Sequence, residues 1–152
     1  MSAIRHFIGL EAFEPKTLRH MIERAGELKR APETGRGALA GKTLAMIFET
    51  PSTRTRISFD VAMNKLGGRS IALSPGELQL GRGESIGDTA RVLSRYVDAV
   101  LLRTASHESL LQLVENADVP IINGLTDRTH PCQLMADVLT FEEHLGAIEG
   151  RR

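Results

Sequence analysis

The chain has one cysteine, no net charge and no long apolar run, and each shortage removes a class of protein. A single cysteine, Cys132, cannot close an internal disulfide. Nineteen basic residues balance nineteen acidic ones, so no surplus charge draws the chain to nucleic acid or to an anionic membrane surface. No stretch approaches the ~20 apolar residues of a membrane-spanning helix. The opening residues, Met1-Ser2-Ala3-Ile4-Arg5-His6-Phe7, lack the apolar centre of a signal peptide. The expectation is a cytoplasmic protein with neither a membrane nor a nucleic-acid partner. Repeats and low-complexity tracts are also missing.

Two glycine-rich stretches look like nucleotide sites and fail on spacing. In Gly35-Arg36-Gly37-Ala38-Leu39-Ala40-Gly41-Lys42-Thr43, a phosphate-binding loop needs its first glycine at position 36, which is arginine. The stretch also precedes a strand instead of following one, so it reads as a flexible connecting loop. Gly81-Arg82-Gly83 lacks the third glycine of a dinucleotide fingerprint.

What is present is an ordinary globular composition: 152 residues, 41% of them hydrophobic, enough for one well-buried domain and short for two. Glu14-Pro15 opens a helix with the apolar stripe Leu18, Met21, Ile22, Ala25 and Leu28, and Pro32 and Gly35 end it. After Gly41 strands and helices alternate. Strands are expected at 43–49, 69–73, 98–102 and 119–123, and helices at 53–66, 87–96, 107–116 and 132–145, with a loop over 74–86. This pattern predicts an α/β fold, a parallel sheet of about four strands with helices on both faces. Residues 1–34 then form an N-terminal helix and its following loop, and 43–145 the α/β core.

The most telling segment is Phe48 to Asp60, reading F-E-T-P-S-T-R-T-R-I-S-F-D. The apolar run Thr43 to Phe48 reads as a buried parallel strand, which Pro51 breaks. Ile57, Phe59, Val61, Ala62 and Leu66 recur near helical spacing before Gly67-Gly68, so a helix starts near Ser52 or Thr53, either of which is placed to cap it. The free N–H groups and dipole at a helix N-terminus attract an anion, and Arg54 adds a planar fork suited to phosphate oxygens. Arg56 points elsewhere on the helix, which favours a structural ion pair. A capped helix with solvated arginines explains the bare S-T-R equally well.

The full string resembles the carbamoyl-phosphate signature of the aspartate and ornithine carbamoyltransferases. Three further segments follow in that family's order: Gln79 to Ser85 leading into Asp88-Thr89-Ala90-Arg91-Val92-Leu93, then Leu101-Leu102-Arg103, then His130-Pro131-Cys132-Gln133 leading into Ala136-Asp137. Aspartate enzymes typically carry a lysine before G-E-T in the second segment. Arg82-Gly83-Glu84-Ser85 here, with H-P-C-Q, is closer to the ornithine enzymes.

The resemblance implies that Ser52, Thr53, Arg54 and Thr55 hold the phosphate, with Thr55 also near the carbonyl oxygen. It places Arg103 between phosphate and carbonyl, His130 on the carbonyl oxygen, and Gln133 on the carbamoyl amide. The reaction implied is transfer of the carbamoyl group to the side-chain amine of ornithine, giving citrulline and phosphate, as in arginine biosynthesis. It needs no covalent intermediate, cofactor or metal. The family forms homotrimers in which the loop bearing Gln79 reaches a neighbouring subunit. Family members also carry a second domain that binds the amino acid, and its D-x-x-x-S-M-G and H-C-L-P segments are not found here. The chain alone is therefore expected to bind but not to turn over. Two alternatives stand beside this reading, an aspartate carbamoyltransferase domain and a non-catalytic anion-binding or oligomerisation module.

Other polar residues are read more plainly. Glu84, Asp88, Asp127 and Arg128 are expected to serve loops and caps. Cys132 beside His130 is compatible with a Cys/His nucleophile but also with a small apolar filler, the commoner use of a free cysteine.

Independently of the family, ligands of open α/β sheets sit beyond the carboxyl ends of the strands. The candidates fall there: Ser52 to Thr55 after the first strand, Gln79 after the second, Arg103 at the end of the third and His130 after the fourth.

Overall fold

A computed structural model describes residues 4–74, 76 and 83–151 of the chain. The four strands found among them are β1 (Thr43–Phe48), β2 (Arg69–Leu73), β3 (Ala99–Arg103) and β4 (Ile121–Leu125). They are joined by α1 (Pro15–Arg30), α2 (Thr53–Lys65), α3 (Ile86–Leu93), α4 (His107–Asn116) and α5 (Pro131–Leu145). All strand pairs are parallel, in the order β2-β1-β3-β4.

The central strands read as apolar runs because both of their faces are covered. Ala45, Ile47, Val100, Leu102 and Ile121 face α3 and α4, where Ala90, Leu110 and Leu113 complete one core. Leu44, Met46 and Leu101 face the other way, onto Met63 and Phe59 of α2. Burying each large side chain of this kind stabilises the fold by about 1.5–3 kcal/mol relative to exposure. The expected sheet with helices on both faces is thus the one found.

Helix α1 lies along α5, fastened by ion pairs Arg19–Glu142 at 2.7 Å and Lys29–Glu143 at 2.6 Å. Ahead of α1, Phe7 runs parallel to β4: its N–H donates to the Ile121 carbonyl and its carbonyl accepts from Asn123 N–H, both at 2.8 Å. That contact covers the outer side of β4. Beyond β2 no strand is found among the described residues.

Several boundaries differ from expectation for local reasons. β4 begins two residues later than expected because Pro120 has no N–H to donate, although its carbonyl still accepts from Val100. α3 stops at Leu93, where Ser94 turns its hydroxyl back onto the Ala90 carbonyl and accepts from Asp118 N–H. β3 starts at Ala99 because the Asp98 carboxylate is engaged with Thr43 N–H and Lys42. On α2, Ile57 and Val61 were expected on the apolar face but are exposed, since they lie on nearly the opposite side of the helix from Phe59 and Met63. The connecting loop before β1 is folded into successive hydrogen-bonded turns, with Gly37 and Gly41 at positive φ.

The strand order decides where a ligand fits. The chain leaves β1 for β2 on one side, then crosses back to β3 and β4 on the other. The connections leaving the carboxyl ends of β1 and β3 therefore diverge, opening a crevice between them.

Candidate functional site

At that crevice β1 gives way to α2. Ser52 occupies the N-cap position with extended backbone, φ −152° and ψ 105°, yet no side chain caps the helix. The expected capping bond from Ser52 or Thr53 is thus not made. The hydroxyls of Ser52, Thr53 and Thr55 make no hydrogen bond among the described residues, and the first-turn N–H groups stay free. Arg54 is exposed and makes neither an ion pair nor a hydrogen bond among the described residues. The same holds for Arg56, so the structural ion pair expected of it is not formed: Asp60, one helical turn along α2, instead accepts from the Ser70 hydroxyl.

Arg103, the last residue of β3, lies opposite Phe48 of β1, and its carbonyl accepts from Glu49 N–H at 2.9 Å. The adjoining Thr104, fully buried, donates its hydroxyl to the Glu49 carboxylate. These two bonds tie the carboxyl ends of β1 and β3 together. On the other side, the Arg103 guanidinium donates to the Gly124 carbonyl through Nη1 at 3.4 Å.

The turn after β4 is built around buried Asn123. Its amide nitrogen donates to the Ile8 carbonyl at 2.9 Å, and its amide oxygen accepts from Leu125 N–H at 2.9 Å. Leu125 is held at φ +146°, a strained position for a branched residue. A register shift between Leu102 and Arg103 accompanies it, so that Arg103 pairs with Leu125. Beyond this turn His130 stands immediately before α5. Burial, and next the positive charge of Arg103, lower its pKa, while Asp137 opposes them. Its imidazole is therefore neutral at neutral pH, able to donate one hydrogen bond without competing as a cation.

Three buried side-chain atoms among the described residues have no hydrogen-bond partner: Thr50 Oγ1, Arg103 Nε and His130 Nδ1. They come from the segments at the carboxyl ends of β1, β3 and β4. Buried polar atoms are nearly always satisfied, so these three, all at the carboxyl end of the sheet, stand out. Thr50 was not singled out from the sequence; the signal available was its place in the Glu49-Thr50-Pro51 corner.

Gln133, on the first turn of α5, is exposed and donates its amide nitrogen to the Asp137 carboxylate at 2.8 Å. Gln79 lies outside the described residues. Cys132 donates weakly to the Asn123 carbonyl at 3.5 Å, and burial pushes its thiol up to about 11. A thiol so reluctant to ionise is a filler, not a nucleophile. The acidic loop residues behave as expected. Ser85 caps α3 by accepting from Asp88 N–H, Glu84 accepts from the Thr89 hydroxyl, and Asp127 accepts from His107 N–H.

The chemistry assembled is thus an uncapped helix N-terminus with hydroxyls and a free arginine, beside a second arginine and a neutral histidine. The first part suits a phosphate dianion; the second suits a polarised carbonyl oxygen next to it. Residues 5–143 match the family model described as the aspartate/ornithine carbamoyltransferase carbamoyl-P binding domain.

The chain belongs to the aspartate/ornithine carbamoyltransferase family.

It is 58% identical to the ornithine carbamoyltransferase of Agrobacterium fabrum over 99% of its own length and 50% of that protein. Among solved structures, the ornithine carbamoyltransferase from Pyrococcus furiosus superposes with a TM-score of 0.92 at 48% identity, covering 97% of this chain and 48% of that one. The enzyme from Burkholderia thailandensis superposes with a TM-score of 0.90 at 44% identity, covering 97% and 51%. The chain thus spans about half the length of the carbamoyltransferases it matches.

Proposed function

We propose that this chain is the carbamoyl-phosphate-binding half of an ornithine carbamoyltransferase. In the reaction an uncharged amine attacks the carbonyl carbon of carbamoyl phosphate. A tetrahedral species forms with negative charge on the former carbonyl oxygen, and phosphate leaves. Two developing charges need stabilising, one on that oxygen and one on the departing phosphate.

In this reading Ser52, Thr53, Arg54 and Thr55 hold the phosphate at the start of α2. Arg103 lies between phosphate and carbonyl, where its unpaired Nε is a donor in waiting. His130 donates to the carbonyl oxygen, and its neutral state suits that role because a hydrogen bond is needed there and a proton transfer is not. Gln133 accepts from the carbamoyl N–H2, and Thr55 assists at the carbonyl. Holding the reactant beside these groups supplies rate enhancement without any covalent intermediate. The amine is that of ornithine, brought by a part of the enzyme other than this chain. The active assembly is a cytoplasmic homotrimer serving arginine biosynthesis, in which Gln79 serves the neighbouring subunit's ligand.

The observation that supports the reading is that the unsatisfied Thr50, Arg103 and His130 atoms lie in the segments leaving the carboxyl ends of β1, β3 and β4, the same end of the sheet from which the uncapped α2 starts. Calorimetric titration of wild type and His130→Ala with carbamoyl phosphate and with inorganic phosphate tests it. Wild type is expected to prefer carbamoyl phosphate. The variant should lose most of that preference, roughly three- to tenfold for one neutral hydrogen bond, while keeping its affinity for phosphate. Equal binding of both ligands by wild type would instead describe a generic anion site.

A further inference from the structure

The side chain of Asp137 has no part in the reading above, yet it touches Gln133 and acts electrostatically on His130, two residues that do. It accepts a 2.8 Å hydrogen bond from Gln133 Nε2, and its charge acts on the His130 imidazole. A carboxylate only accepts, so the Gln133 amide must present its nitrogen to Asp137. Asp137 lies one helical turn further along α5, toward the C-terminus. The amide oxygen makes no hydrogen bond among the described residues, so it is left free to accept from another donor.

An unrestrained glutamine offers a ligand either an oxygen or an N–H2 group, whichever fits. One whose nitrogen is held by a carboxylate cannot flip freely, and it presents its oxygen to a partner on the side away from that carboxylate. Such a group welcomes an N–H donor and gains nothing from a methyl group of the same size. Discrimination of this kind is strong because a polar atom facing a methyl is left unpaired.

Given a carbamoyl phosphate site, we propose that Asp137 is a positioning residue that fixes the Gln133 amide with its oxygen toward the ligand. The pocket thereby selects a carbamoyl over an acetyl phosphate. A Gln–Asp pair four residues apart on an exposed helix face also stabilises the helix by a few tenths of a kcal/mol. That contribution has no bearing on which acyl group binds, so ligand discrimination separates the two roles.

The test is an NMR titration of the chain with carbamoyl phosphate, acetyl phosphate and inorganic phosphate, a method that reads weak dissociation constants. The variants are Asp137→Ala and Asp137→Glu. Asp137 is exposed and alanine is a good helix former, so Asp137→Ala should fold, which its spectrum checks directly. The expected result is that wild type favours carbamoyl over acetyl phosphate and Asp137→Ala reduces that ratio roughly three- to tenfold. Asp137→Glu, which keeps the carboxylate charge, should restore most of it and bind inorganic phosphate as wild type does.

Undiminished discrimination in Asp137→Ala overturns the role of Asp137 and leaves the carbamoyl phosphate site standing. A wild type that fails to tell the two acyl phosphates apart overturns the reading of Gln133 beneath it. A parallel loss of affinity for all three ligands, unrescued by glutamate, identifies a structural role and also overturns the proposal.

Discussion

At the scale of single residues, His130 joins the chain's electrostatics to its chemistry. Burial and Arg103 lower its pKa in the folded chain, and the Asp137 carboxylate opposes them. The folded chain therefore takes up this proton at a lower pH than the unfolded chain does. The resulting contribution to stability is fully present above the ordinary histidine pKa, near 6.5, and is lost as pH falls through the folded value. An NMR titration of the His130 ring should find a midpoint below 6.5, and a midpoint at or above it would contradict this account. The roles of Arg54 and Arg56 show the limit of reading residues one at a time. Both are exposed and unpaired in the structure, and only the uncapped helix end beside Arg54 gives it a ligand to await.

At the scale of elements, the corner between β4 and α5 positions the most chemistry. Gly124 is confined there: a Cβ on it would lie 2.7 Å from Leu101 Cδ2 and 3.2 Å from the Leu102 carbonyl oxygen. Gly124→Ala is expected to destabilise the chain by about 1–3 kcal/mol through overpacking. The same change should weaken carbamoyl phosphate binding by displacing the carbonyl to which Arg103 donates. Urea denaturation with a binding titration checks both, and an unchanged midpoint with unchanged affinity would remove the corner from the site.

This corner was also where the sequence said least. The alternation of apolar runs and helical stripes fixed the element order, and the P-S-T-R turn, Arg103 and His130 were each legible because strand ends and a familiar motif coincide. The strain at Leu125, the register shift and the support from Asn123 depend on contacts between β3, β4 and the N-terminal segment, which no local pattern encodes. Capping by Ser52 was misread for the converse reason. The residue type is right for a cap, but its hydroxyl makes no bond to the N–H groups of the first turn.

At the scale of the molecule, the exposed apolar residues fit the proposed trimer. Ile57 and Val61 stand one helical turn apart on α2, and both are exposed. Apolar surface gathered in this way suits a partner subunit. Sedimentation equilibrium of the chain is expected to give three chain masses, and Ile57→Glu with Val61→Glu to shift it toward one. A wild-type monomer at all concentrations would place the trimer contacts elsewhere.

The two sides of the sheet are unequal in one more respect. Phe7 closes the β4 side with a pair of backbone hydrogen bonds, whereas β2 has no strand beyond it among the described residues. An open strand is a template for another extended chain. Among the described residues, sheet growth is therefore directional: a partially unfolded copy can add along Arg69–Leu73, whereas Phe7 already occupies the place beside Ile121–Leu125. Storage aggregates should nucleate on one side only, and a lysine at Ile71 would be the most economical guard against them.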